Sequence, residues 1–175
     1  MGNYSSYEKI SCVEKSRLKL LKTDIDGIML VHPTGTGKTL TAVTASQCFL
    51  DAFPKSKVLF VGPTSLLTNF QKELENYGIN DFSRYRIYSY QKFSQMEEET
   101  REILCKDNML IIDEVHNLRT LKLSSPTAGK RSKKVFKCSK FAKKRLLLTA
   151  TPFINDLTDF IPIINYIYGK TMVQK

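Results

Sequence analysis

The chain has 175 residues, of which 42% are hydrophobic and 25% charged, and carries a formal net charge of +10. That length suits one domain with a sizeable core, and the balance is that of a soluble globular protein. No apolar run approaches the ~20 residues a membrane helix needs, and the N-terminus lacks the apolar core of a secretory signal.

The first six residues, MGNYSS, fit either the loose N-myristoylation pattern, with Gly2 as acceptor, or an ordinary frayed terminus. One acyl chain anchors only marginally, so no stable membrane association is expected. Residues 7–22 read as a basic amphipathic helix with Ile10, Val13, Leu18 and Leu21 inward, which sets segment 1–24 apart from a lobe over 25–175. Asp24 to Gly27 then turns into a first strand, the apolar run Ile28 to Val31. A glycine-bearing turn follows, Pro33-Thr34-Gly35-Thr36-Gly37, and runs through Lys38-Thr39 into a helix over Leu40 to Leu50 that Phe53-Pro54 ends. Val58 to Val61 is continuously apolar, the mark of a strand covered on both faces. A helix over Leu66 to Tyr77 with Gly78 as its stop comes next, then an alternating strand from Arg84 to Tyr90 and a Glu-rich helix from Gln95 to Leu104. Met109 to Ile112 is another buried strand, ending in Asp113-Glu114-Val115-His116. Beyond it the pattern predicts a loop over Leu123 to Ser132, a short basic helix over Val135 to Ala142, a buried strand at Leu146 to Leu148, the run Thr149-Ala150-Thr151-Pro152 and a closing helix from Asp156 to Tyr168. Apolar strands alternating with helices predict an α/β fold: a mainly parallel sheet with helices on both faces and ligands at the carboxyl ends of the strands.

The polar motifs fall at those ends. A buried strand, a glycine-bearing loop and a helix N-terminus, in that order, make a P-loop. The glycines let backbone N–H groups curl into an anion nest built from Pro33, Thr34, Gly35, Thr36 and Gly37. Lys38 would reach the terminal phosphates and the Thr39 hydroxyl a Mg²⁺ ion. The usual pattern opens with glycine where this chain has His32. A P-loop needs an acidic partner, and Asp113-Glu114 supplies two carboxylates: Asp113 for the metal, Glu114 to orient and activate water. The bland alternatives are an exposed lysine after a turn and a solvated strand end. Tyr85, Tyr88, Tyr90 and Phe93 read as core aromatics before they read as base-stacking platforms.

Cys12, Cys48, Cys105 and Cys138 are far apart and form no ligand pair, so neither a zinc site nor a disulfide framework is expected, and a reducing intracellular setting fits. Between Glu114 and Asp156 there is no acidic residue but 11 of the 27 basic ones; the rest of the chain balances 16 basic against 17 acidic groups. This stretch reads as a contact for nucleic acid or an acidic protein, as a solvated loop, or as an import signal at Lys130 to Lys134.

HPTGTGKT (His32–Thr39), DEVH (Asp113–His116) and TAT (Thr149–Thr151) resemble motifs I, II and III of superfamily 2 helicases and translocases. VLFVGPTSLLTNFQKEL (Val58–Leu74), with Asn69, Phe70 and Glu73, is similar to motif Ia of Swi/Snf-type ATPases, as are IYSYQKF (Ile87–Phe93) and the region Arg145–Ile167 to their corresponding segments. The motif I version is similar to that of the nucleoside triphosphatases and early-transcription helicases of large DNA viruses. The resemblance implies a RecA-like three-layer lobe that binds ATP and Mg²⁺ and couples hydrolysis to action on nucleic acid, DNA before RNA. It implies that His116 couples the nucleotide site to Thr149 and Thr151, and that Pro63 and Thr64 touch the nucleic-acid backbone. It also implies a second RecA-like lobe with an arginine finger, which nothing after Thr151-Pro152 supplies, and transcription machinery as a partner in the nucleus or, for a virus, the virion or virus factory. Three departures stand out: His32 in motif I, Val115 where alanine is commoner in motif II, and no clear adenine-reading glutamine. The alternative reading is a non-catalytic nucleotide-binding module of a transcription or chromatin complex.

Overall fold

The apolar runs become the strands of one sheet. The structure is a computed structural model that describes residues 24–33, 35–118, 126–151 and 160–172. The N-terminal helix expected over 7–22 and the acceptor Gly2 lie outside those residues, as does Thr34 of the P-loop. Five strands, β1 (Gly27–Val31), β2 (Val58–Gly62), β3 (Tyr85–Ser89), β4 (Met109–Ile112) and β5 (Lys144–Thr149), pair in the order β1-β5-β4-β2-β3, every pair parallel. The register aligns Leu30 with Leu148, Ile111 with Leu146, and Phe60 with Ile111 and Ile87.

Because strand side chains alternate, each apolar run feeds two cores. Phe60, Ile111, Leu146 and Leu148 face the layer made by α1 (Lys38–Ala52) and α2 (Thr64–Asn76), where Phe60 stacks on Phe70 with ring centroids 4.0 Å apart. Leu59, Val61, Ile112 and Leu147 face the other layer, formed by α3 (Tyr90–Gln95), α4 (Glu98–Cys105), α5 (Pro126–Ser139) and α6 (Phe160–Tyr168). The result is the three-layer RecA-like α/β lobe that the sequence predicts.

Three expectations change. The Glu-rich helix expected from Gln95 starts at Glu98, and an unexpected short helix, α3, precedes it directly after β3. Ser89 caps α3, its side chain accepting from the Lys92 N–H at 3.1 Å, and Met96 and Glu97 then adopt extended backbone before α4 begins. The loop expected through Ser132 is helical from Pro126, a residue whose fixed φ suits a first helical turn, and the helix stops at Ser139 instead of Ala142. No disulfide was expected, yet Cys105 at the end of α4 is bridged to Cys138 on α5, with Cα atoms 5.4 Å apart. The 33-residue separation hides that α4 and α5 lie side by side over the same core. No described cysteine is a free thiol.

The basic interval is also spent differently from a solvated stretch. Lys144 and Arg145 are buried. Lys144 donates to Ile25 O at 2.8 Å and pairs with Asp26 at 3.2 Å, while Arg145 donates to the carbonyls of Ser139, Ala142 and Ile167. Lys134 reaches Ser94 O on α3, and Lys137 pairs with Glu98 on α4. The last helix lies tight against the first strand: a Cβ on Gly27 would stand 1.9 Å from Ile167 O. Among the described residues no helix is long and apolar enough to cross a membrane.

Candidate active site

β1 leads into the site without a break in pairing, since the His32 N–H still donates to Thr149 O at 3.1 Å. The chain then turns back on itself. Pro33 O accepts from Thr36 Oγ1 at 2.7 Å, and Gly35 and Gly37 take φ of +81° and +87° with open space where a Cβ would stand. Only glycine adopts these angles freely. Gly37 caps α1, so Lys38 and Thr39 occupy its first turn, where N–H groups have no partner within the helix and the dipole favours an anion. His32 stands half-buried at the place of the usual glycine; its Nδ1 is shielded and has no hydrogen bond among the described residues.

β4 delivers the acids. Asp113 is 7% exposed, and its N–H continues the ladder to Val61 O at 2.9 Å. Glu114 turns out of the strand with φ +49°, in the left-handed region, its N–H donating to Asp113 Oδ1 at 3.0 Å. The Lys38 ammonium pairs with Glu114 Oε1 at 3.1 Å. Glu114 Oε2 lies 3.1 Å from His116 Nδ1, close enough for an ion pair but off the direction of a hydrogen bond. His116 Nδ1 is also 3.1 Å from Thr149 Oγ1, which accepts from the Thr151 N–H at 3.1 Å. Lys38, Glu114, His116, Thr149 and Thr151 thus form one contiguous chain of polar contacts across the ends of α1, β4 and β5.

Burial raises the Asp113 carboxyl to about 6; the neighbouring Glu114 charge adds to the rise, and the Glu114 N–H and the Lys38 ammonium oppose it. A second carboxylate beside a buried first makes a place where positive charge is wanted. A cavity of about 290 Å³ opens between the glycine turn and these acids, lined by Lys38, Thr39, Asp113 and Glu114 and, from α2, by Asn69 and Glu73. Asn69 Nδ2 donates to Thr39 Oγ1 at 3.4 Å. Pro63 and Thr64 sit at the end of β2 and the start of α2, on the same rim but outside this cavity.

The cradle fits a phosphate chain: a glycine turn with space above it, a free helix N-terminus and an ammonium at its mouth. It also fits a magnesium ion that takes one hydroxyl and one carboxylate from the protein, because such ions keep several waters and substrate oxygens. No cluster of three or more His, Cys, Asp or Glu side chains forms a separate metal site among the described residues.

Two of the residues gathered here had no predicted role. Asn69 and Glu73 carry an i, i+4 signal on the polar side of an amphipathic helix. Tyr90, read as core, places its hydroxyl 2.5 Å from the Asp113 carbonyl, a contact across 23 residues that no local pattern announces.

Comparison with known proteins agrees with this geometry. The model of the family described as "Type III restriction enzyme, res subunit" (ResIII) matches residues 6–154. A putative ATP-dependent RNA helicase, L538, of Acanthamoeba polyphaga mimivirus is 31% identical over 157 residues, covering 90% of this chain and 32% of its own. Nucleoside triphosphatase I of Choristoneura fumiferana entomopoxvirus is 26% identical, covering 90% of this chain and 26% of its own. Among solved structures, the Sulfolobus solfataricus SWI2/SNF2 ATPase core in complex with dsDNA superposes with a TM-score of 0.64 at 22% identity, covering 83% of this chain and 32% of that one. The chain therefore spans about a third or less of these relatives. It belongs to the ResIII family, and its fold is that of the RecA-like lobe in the SWI2/SNF2 ATPase core.

Proposed function

We propose that this chain is the ATP-binding lobe of a DExH-type, nucleic-acid-dependent ATPase, a helicase or translocase. The observation that carries the reading is the convergence of a helix N-terminus, the Lys38 ammonium and the Asp113-Glu114 pair on one cavity, with Lys38 and Glu114 in contact at 3.1 Å. When bound, ATP with Mg²⁺ supplies a γ-phosphate that a polarised water can attack. The Gly35–Gly37 turn and the first N–H groups of α1 would hold phosphate oxygens, with Pro33, which has no N–H to give, opening the turn and Thr34 and Thr36 completing it. Lys38 exchanges its contact with Glu114 for phosphate. Thr39 and Asp113 would hold the metal, and Glu114, released from Lys38, would orient the water and accept its proton. His116, between Glu114 and Thr149, links that event to the Thr149–Thr151 turn.

The relatives' names and titles support nucleic acid as partner, and the dsDNA of the SWI2/SNF2 core favours DNA over RNA. Pro63, Thr64 and Thr151, on the rim beside the cavity, would meet its backbone with hydroxyls and helix N–H groups. On the division expected from the sequence, 25–175 would be one lobe, and a second RecA-like lobe would complete the site with an arginine finger, a group worth about 10³–10⁵ in rate. The setting is intracellular, in the nucleus or, for a viral protein, the virion or virus factory, with transcription machinery as the associated complex. The buried Cys105–Cys138 bridge is shielded from the thiol pool of such a setting. ATP hydrolysis by the full-length protein, with and without DNA, tests the assignment. Glu114→Gln should retain nucleotide binding and lose turnover, and wild-type rates in that variant would refute it.

A further inference from the structure

The peptide group between Asp113 and Glu114 is held at both ends. Its carbonyl accepts from the Tyr90 hydroxyl at 2.5 Å, and its N–H donates to Asp113 Oδ1 at 3.0 Å. Immediately after it, Glu114 has φ +49°, a conformation that only one other described non-glycine residue, Asp107, shares. A side chain in the left-handed region is strained, and such strain persists only where the surroundings over-determine it. Tyr90 is fixed well enough to do this. It is 7% exposed, its ring packs with the core that holds Phe93, Ile112 and Val115, and it opens a helix capped by Ser89.

We propose that Tyr90 is a positioning residue for hydrolysis: by holding the Asp113 carbonyl it keeps the Asp113–Glu114 peptide in the orientation that puts Glu114 in the left-handed region and its carboxylate beside Lys38. The catalytic consequence rests on the proposed role of Glu114; the clamp itself does not. Without the hydroxyl, the Asp113 carbonyl loses its donor and the peptide can rotate, letting Glu114 relax to negative φ and swing its carboxylate out of line. Misplacement of a reacting group by an ångström costs about 10²-fold in rate. Substrate binding, which falls to the glycine turn and Lys38, should be spared.

Tyr90→Phe keeps the ring and removes only the oxygen. In the full-length protein it should lower kcat for ATP about 10- to 100-fold with KM within about twofold, the magnitude following from that misplacement. In the 175-residue chain, NMR with labelled glutamate should show faster hydrogen exchange at the Glu114 amide while β4 amides keep their protection. A kcat equal to wild type, with Glu114→Gln inactive, overturns the proposal. So does a variant in which KM rises and all of β4 exchanges faster, since that is the result of lost core packing. If Glu114→Gln itself turns over normally, the function proposed above fails, and Glu114 amide exchange alone then decides the clamp: unchanged protection overturns it, lost protection upholds it.

Discussion

At the amino ends of the strands, Arg84 gives its guanidinium to the carbonyls of Leu50, Phe53 and Ser56, and Arg145 gives its own to Ser139, Ala142 and Ile167. At the carboxyl ends, the buried charges are carboxylates: Asp113 lies against Glu114, on a turn with a strained backbone, and Lys38 is the cation beside them. The first arrangement spends its charges on backbone dipoles and, for Arg145, on Asp26 at 3.9 Å, and leaves no demand for a ligand. The second leaves negative charge under-compensated beside a cavity, and so has work left for magnesium and phosphate. Burial alone therefore does not mark a functional charge; what surrounds it does.

Substitutions at the two ends should fail in different ways. Lys38→Ala at the carboxyl end should lower ATP turnover by about 10³-fold or more while leaving the melting temperature nearly unchanged, measured by coupled assay and calorimetry. Arg145→Ala at the amino end should do the reverse. Three carbonyls lose a buried charged donor, which costs about 3–4 kcal/mol and some 10 °C in Tm, with turnover per folded molecule preserved. Asp113→Asn should stabilise the protein at neutral pH in metal-free buffer. The folded carboxyl sits near 6 against an ordinary 3.8; a raised value means stability is complete below about pH 4 and is lost as pH rises through 6. The asparagine variant escapes that loss, about 2–3 kcal/mol, so its Tm advantage should be present at pH 7.5 and vanish at pH 4. An advantage that did not vary with pH would break the comparison. Smallest of all, Lys137→Ala removes a half-exposed pair with Glu98 on α4 and should leave Tm within error at any salt concentration.

Much of this was legible from periodicity. Buried parallel strands write themselves as unbroken apolar runs, so β2, β4 and β5 and the acids after β4 could be placed by residue, as could the P-loop from its glycines. What escaped depends on neighbours distant in sequence. The alternating pattern carries the strand through Tyr90, so neither α3 nor the break at Met96-Glu97 shows in it; both follow from two short helices turning over the same core. The start of α5 at Pro126 was masked by Ser, Pro and Gly, residues that favour turns until a hydrophobic face finds Cys105, Val115 and Tyr166 to cover. The destinations of Lys144 and Arg145 could not be read from a cluster of like charges, because their partners are backbone carbonyls and Asp26, more than a hundred residues upstream. Tyr90 carries no local sign that its hydroxyl, unlike that of any core tyrosine, reaches the active-site turn.

Gly27 shows a constraint of another kind. Nothing in its strand conformation asks for glycine, yet a methyl group there would collide with Ile167 O. The restriction comes from a helix made 140 residues later (from 27 to 167) during synthesis. A nascent chain would accept alanine at this position without complaint until the helix Phe160–Tyr168 emerged, and only then find the seat taken. In a mutational library Gly27 would stand out as admitting no other residue, while Ile28 to Leu30, which pack against the cores, would accept other apolar side chains; the same library made without residues 160–175 would lose that mark.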